Sequence, residues 1–419
     1  MFLKGLKCKE CSAEYPADRS FMCMKCLGPL EVDYDYDRIR DSLDKKEMAE
    51  RPFNVWRFRE LLPVEGEGVT GHHSGWTPLL RAKRLGKYLG ISKLYLKDDS
   101  TNRPTLSYKD RVVSIAVSRG VELGFETFAC ASTGNLGNAV SAHCAAAGKP
   151  CLIFVPHDIE KAKIIGSLMC GPQLVALKGN YDQVNRLCAQ IGDEYGWGFV
   201  NVNLRPYYTE GAKTLGYEIA EQLGWKLPDH IVLPTAGGTL LPKVAKAFSE
   251  LTQLGWVEGE PRVHCAQAEG CAPIVRALKE GLEEIQPVKP STLAKSIAIG
   301  DPADGPYVLQ AVRESGGSGV AVSDEEILSA MELLARKEGL LCEPAGGTTL
   351  ASTMRLIEEG VIKSDHSVVV ALTGHAYKAL DAMEGRTKVH AVLRPNIRVF
   401  KEWYAQQERS QDQVRVVSV

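Results

Sequence analysis

From "KLYLKDDS" onward the chain alternates short β-branched or apolar runs with helix-length amphipathic segments, and this alternation most constrains its fold. Leu94–Lys97, Phe128–Ala131, Cys151–Val155, Leu174–Leu177, Phe199–Val202, His230–Pro234, Arg262–Gln267, Val320–Val322 and Val368–Leu372 read as strands. Val112–Leu123, Gln183–Tyr195 and Glu325–Glu338 read as helices between them. Regular β-α alternation predicts parallel sheets covered by helices. So many strands overfill one open sheet, so two α/β domains are expected. Ligands in such folds lie beyond the carboxyl ends of strands, at a switch point or between domains. The expected boundaries are a ribbon at residues 1–35, a larger α/β domain from 36–125 and 210–395, a smaller one at 126–209, and a polar tail at 396–419.

The 419 residues are enough for two or three domains. A net charge of −2 gives no electrostatic reason to expect a nucleic-acid or anionic-membrane partner. The uncharged run Thr127–Gly148 is long enough to cross a bilayer, but its Ser, Thr, Asn and His residues argue against a membrane span. The start "MFLKGLKCKE" has no apolar leader pattern, so a cytoplasmic enzyme is expected. Of twelve cysteines, eight between Cys130 and Cys342 lie mostly in apolar segments and read as reduced core residues. Cys8, Cys11, Cys23 and Cys26 form two CxxC pairs, a pattern that suits a closed structural zinc site; a redox or disulfide pair is the alternative.

Three strand-to-helix junctions look built for an anion or a heterocycle. "ASTGNLGNAVSAH" puts Ser132, Thr133 and Asn135 at a helix start, where hydroxyls and free backbone N–H groups suit a carboxylate. "IVLPTAGGTLLPKVAKAF" ends a strand in Ala236, Gly237, Gly238, Thr239 and Leu240, a phosphate cradle that is neither a dinucleotide fingerprint nor a Walker loop. "SVVVALTGHAYKAL" ends a strand at Thr373, whose hydroxyl could meet a ring nitrogen. A cap or turn explains each junction equally well by itself. In "PTLSYKDR", however, Lys109 begins a helix, the end at which a cation is disfavoured. Positive potential there favours the neutral, nucleophilic amine. An amine, a phosphate cradle and a carboxylate loop together are what pyridoxal phosphate chemistry requires.

These motifs resemble those of the fold-type II pyridoxal-phosphate enzymes, and most closely the threonine synthase family. The resemblance runs from about Gly75 to His375. It implies the tryptophan synthase β-like architecture of two open α/β domains, with the four-cysteine zinc ribbon as a feature of a subgroup. "SYKDR" resembles S-F-K-D-R, which implies that Lys109 is the Schiff-base lysine and the catalytic residue. "STGN" implies Asn135 at the cofactor 3′-hydroxyl and Ser132 and Thr133 near the substrate carboxylate. "PTAGGTL" implies that Ala236 to Leu240 hold the phosphate, and "LTGHAYK" places Thr373 at the pyridine nitrogen. "EGAKT", Glu210 to Thr214, also resembles a threonine synthase signature.

Two departures stand out. Leu106 occupies a position where the family often has glycine. Tyr208 stands where some relatives use an arginine for the substrate phosphate, so Arg205, Lys97 or Lys213 would have to supply that charge, with Arg205 the residue assigned. The resemblance implies conversion of O-phospho-L-homoserine and water to L-threonine and phosphate by a homodimer. The alternatives are a threonine or serine dehydratase, another β-replacement enzyme of the fold, or a non-enzymatic regulator that retains the ribbon.

Overall fold

A computed structural model describes residues 2–132, 134–157, 161–178, 181–386 and 389–416. The chain falls into two compact units, Met1–Ala382 and Met383–Val419. The first contains three sheets, the strands of the third being inserted in the chain between two strands of the largest. The ribbon sheet has the order β2-β1-β3, with β1 Leu3–Cys8, β2 Glu14–Tyr15 and β3 Leu30–Tyr34, all antiparallel. The largest sheet has the order β12-β11-β10-β13-β5-β4. Its strands are β4 Leu79–Arg81, β5 Lys93–Asp98, β10 His230–Pro234, β11 Arg262–Ala268, β12 Gly319–Val322 and β13 Ser367–Leu372. The third, β8-β7-β6-β9, comprises β6 Phe128–Ala131, β7 Cys151–Pro156, β8 Gln173–Leu177 and β9 Gly198–Phe199.

All nine strand expectations have a counterpart, and every pairing but one in the two larger sheets is parallel. The exception is β4, which was not read as a strand and lies antiparallel to β5. It is an edge strand, where only one neighbour must be matched. The expected strand Phe199–Val202 stops after Phe199. There the Asn203 side chain accepts from Phe199 N (2.8 Å) and donates to Trp197 O (2.9 Å), drawing the chain into a turn.

β10 is buried along its whole length, as a parallel strand covered on both faces must be. The helix Pro344–Glu358 covers the same sheet, and its "PAGGTT" start keeps that end slim enough for close packing. The expected tail is instead the helix Ile397–Val416, in a stretch rich in the helix-favouring residues Gln, Glu and Arg.

Candidate active site

Lys109 opens the helix Lys109–Glu122, and its ammonium donates to the Tyr208 hydroxyl at 3.0 Å. Two anchors hold the loop before it. Asp110 accepts from Thr105 N (3.0 Å) and Thr105 Oγ1 (2.7 Å). The loop also pairs with the segment just past β13, Tyr108 N donating to Thr373 O (2.9 Å) and His375 N to Leu106 O (3.1 Å). That pairing places Thr373 beside the lysine loop. Glu343 N then donates to Gly374 O at 2.8 Å, adding a third segment to the wall. Asn135, first residue of the helix Asn135–Ala146, donates to both Glu343 carboxylate oxygens, at 3.1 and 3.0 Å. Burial pushes the Glu343 carboxyl above its usual range.

The glycine turn after β10 reaches the same lysine from the other side. Thr239 Oγ1 donates to Asp304 (2.8 Å), which also receives Arg205 at 2.6 Å. Arg205 begins the short helix Arg205–Glu210, whose Tyr208 meets Lys109. Gly238 has φ +97°, and an added Cβ would fall 2.8 Å from the Asp304 backbone. Only glycine fits there. At Gly237 the opposite holds, because nothing lies within 4 Å of where a Cβ would be. One chain of contacts thus links Lys109, Tyr208, Arg205, Asp304 and the glycine turn, and another links Lys109, Thr373, Glu343 and Asn135.

Comparison with known proteins gives the family of the chain. The family model of pyridoxal-phosphate dependent enzymes matches residues 71–374. The threonine synthase of Methanocaldococcus jannaschii is 36% identical over 403 residues, which is 94% of this chain and 99% of that protein. That of Methanosarcina acetivorans is 41% identical over 393 residues, 92% of this chain and 96% of its own. The chain belongs to the threonine synthase family of pyridoxal-phosphate enzymes. Among solved structures, diaminopropionate ammonia lyase from Escherichia coli superposes with a TM-score of 0.63 at 20% identity, over 74% of this chain and 86% of that one. Threonine deaminase isoform 2 from Solanum lycopersicum gives 0.62 at 20% identity, over 74% and 88%. At that identity the two structures share the fold alone.

The site fits the cofactor of this threonine synthase family. Ser107 Oγ and Tyr108 Oη, flanking residues of Lys109, are buried with no hydrogen-bond partner. Buried polar groups almost always have one, so a bound polar group beside Lys109 would satisfy them. The open space at Gly237 suits an anion against backbone N–H groups. Ser132 lies at the carboxyl end of β6, its Oγ accepting from Gly134 N at 3.3 Å, whereas Thr133 lies outside the described residues.

Two cations considered for the substrate phosphate prove to be committed elsewhere. Lys97 is fully buried against Glu218 (2.6 Å), and Lys213 against Glu210 (2.6 Å) and Glu250 (3.0 Å). Each neutralises an interior carboxylate, so neither offers its charge to a ligand, and neither is a surface charge. Arg205 is a third exposed and is held by Asp304 beside the glycine turn.

Sequence reading assigned no role to Glu343, Asp110 or Arg111. Arg111 is fully buried and binds Asp99 (2.7 Å) and Glu218. Glu343 had one local signal, a Glu-Pro pair at a helix start; its contact with Asn135 spans 208 positions and has none.

In the ribbon, the sulfurs of Cys8, Cys11, Cys23 and Cys26 all lie within 4.8 Å of one another, with Cys8–Cys26 at 3.4 Å and Cys11–Cys23 at 3.5 Å. Four thiolates around one zinc ion would sit about 3.8 Å apart, given Zn–S bonds of about 2.3 Å. The Tyr15 hydroxyl lies 3.2 Å from Cys23 Sγ, within hydrogen-bonding reach of the sulfur cluster.

Proposed function

We propose that this chain is a threonine synthase, converting O-phospho-L-homoserine and water to L-threonine and phosphate by γ-elimination and β-addition of water. The threonine synthases matched over nearly their whole length carry this reading, and the Lys109 site supports it. When bound, pyridoxal phosphate supplies an aldehyde for an amine and a conjugated ring that stores the electron pair left at the substrate Cα. Lys109 is the amine that would hold that aldehyde, and its nitrogen is the group that would move protons at Cα and Cβ. The Tyr208 hydroxyl accepts from its ammonium and keeps it aimed. Ala236 to Leu240 would hold the cofactor phosphate, Thr373 would face the ring nitrogen, and Asn135 would face the 3′-hydroxyl, its amide steered by Glu343. Ser132 and Thr133 take the substrate carboxylate. Arg205 attracts the substrate phosphate while Asp304 fixes its direction.

The cysteine site holds a structural zinc ion, because four sulfurs complete its coordination and leave no position open for chemistry. The two larger sheets form the cores of two α/β domains with the site between them, the protein works as a homodimer, and it resides in the cytoplasm. No helix among the described residues is long and apolar enough to cross a membrane.

Phosphate release from O-phosphohomoserine by the purified protein tests the reaction. Ammonia released from serine or threonine, with no phosphate release, would favour a dehydratase instead. Lys109→Ala should abolish the absorbance band of bound cofactor and lower turnover by at least about a thousandfold. An unchanged band would remove the lysine assignment.

A further inference from the structure

The helix Arg205–Glu210 is six residues long and has no side-chain cap. An isolated helix that short is unstable in water, so its position must come from tertiary contacts. Yet it carries the two side chains that reach the site from this direction, Tyr208 to Lys109 and Arg205 to Asp304. The opposite side of the helix is tied to the N-terminal ribbon at two points. Tyr34, on β3, donates to Glu210 Oε2 at 2.9 Å, both groups being buried. Tyr207 donates to the backbone carbonyl of Asp18 at 2.6 Å, and Asp18 lies in the ribbon loop between the two cysteine pairs.

The same ribbon touches the other segments that support the site. Arg119, on the Lys109 helix, donates to Ala17 O at 2.7 Å, and Arg19 donates to Leu123 O, just past the end of that helix, at 2.8 Å. Tyr307, in the helix that begins just after Asp304, donates to Glu10. The ribbon therefore grips from behind every element that presents Lys109, Tyr208 or Asp304.

We infer that the four-cysteine ribbon is a positioning element of the active site, holding the helix Arg205–Glu210 through Tyr34 and Asp18 so that Tyr208 reaches the Lys109 amine. Tyr34 and Tyr207 are positioning residues, since neither touches the amine itself. Tyr34 acts through Glu210, one helical half-turn beyond Tyr208. The proposal depends on the threonine synthase reading for its effect on catalysis, but its structural part can be tested without the cofactor.

The experiment compares Tyr34→Phe, the double variant Tyr34→Phe/Tyr207→Phe, and Tyr36→Phe as a control. Tyr36 donates its hydroxyl to Glu250 (2.7 Å), in the same ionic network but on the neighbouring helix Leu240–Gln253. In the cofactor-free protein, amide hydrogen exchange over residues 204–211 should rise at least tenfold in the single and double variants and stay at wild-type levels in the control. In the holoenzyme, the first two variants should bind pyridoxal phosphate about fivefold more weakly. They should also move the pH midpoint of its absorbance band by half a unit or more, because Tyr208 would no longer stand at a fixed distance from the Lys109 nitrogen.

Wild-type exchange in the double variant, or an equal rise in Tyr36→Phe, would overturn the inference. A wild-type protein that binds no pyridoxal phosphate would instead overturn the threonine synthase reading, while the exchange measurement would still decide the role of the ribbon.

Discussion

At the scale of single residues, the site uses a backbone conformation that its sequence does not favour. Leu106 sits at φ +60°, in the left-handed region that costs a leucine about 1–2 kcal/mol. The position often held by glycine in the family is thus one where the fold requires positive φ, and this chain tolerates the strain. Leu106→Gly should relieve it, offset by about 0.5–1 kcal/mol from the greater freedom of glycine in the unfolded chain. The unfolding free energy measured in urea should then rise or stay within about 1 kcal/mol of wild type. Leu106→Val should lose about 1–2 kcal/mol, and a gain in that variant would contradict the strain argument. Tyr208→Phe removes the acceptor of the lysine ammonium while keeping the ring. Turnover should fall about tenfold with little change in KM, as expected where a group aligns a proton-transferring amine.

At the scale of elements, two buried polar clusters govern how the large sheet responds to acid. One is a row of three imidazoles: His230 at the start of β10 meets His264 of β11 at 2.9 Å and His366, just before β13, at 2.8 Å. Ser318 N donates to His264 Nδ1, and Lys363 N donates to His366 Nδ1, so the backbone at both ends favours one neutral tautomer. Burial, aided by the neighbouring His366 and Arg262, lowers His230 to about 4, and burial with His230 lowers His264 to about 3, from an ordinary 6.5. The unfolded chain therefore takes up these protons first, and stability falls as pH drops from 6.5 towards 4. Urea midpoints should decline across that range, and a flat profile between pH 6.5 and 4.5 would show that the imidazoles are not so perturbed.

The second cluster holds its charge through the same window. Burial pushes the Glu218 carboxyl up, but Arg111 and Lys97 outweigh it and hold it at about 2. Its contribution is present above 4.5 and is lost progressively as pH falls from there to about 2. Glu218→Ala leaves two cations buried without this partner and should cost about 3–5 kcal/mol, read as a drop in the urea midpoint at pH 7.

At the scale of the whole molecule, the ribbon and the large sheet share one hydrophobic core, which includes Leu6, Leu30, Val32 and Tyr34 beside Leu215, Tyr217 and Val244. Removing a ribbon metal with a chelator should therefore lower the melting temperature of the entire chain instead of releasing a separate domain. An unchanged melting curve after the metal is lost would show that the ribbon folds without it. Much of this organisation was legible in the residues. The period of apolar runs marks nine strands, because a parallel sheet covered on both faces leaves little room for polar side chains. The two CxxC pairs carry a metal-site pattern in local spacing, whereas the lysine and the glycine turn pointed to a cofactor only in combination with the other junctions. Contacts between distant segments carry no such mark: Asn135 meets Glu343, Lys97 and Lys213 turn inward to carboxylates, and Tyr34 holds a helix 176 positions away. Sequence alone determined which groups could do the chemistry and the class of fold that would present them. Only tertiary packing decided which charges remain free for a ligand, since pairing and burial depend on neighbours that chain order does not specify.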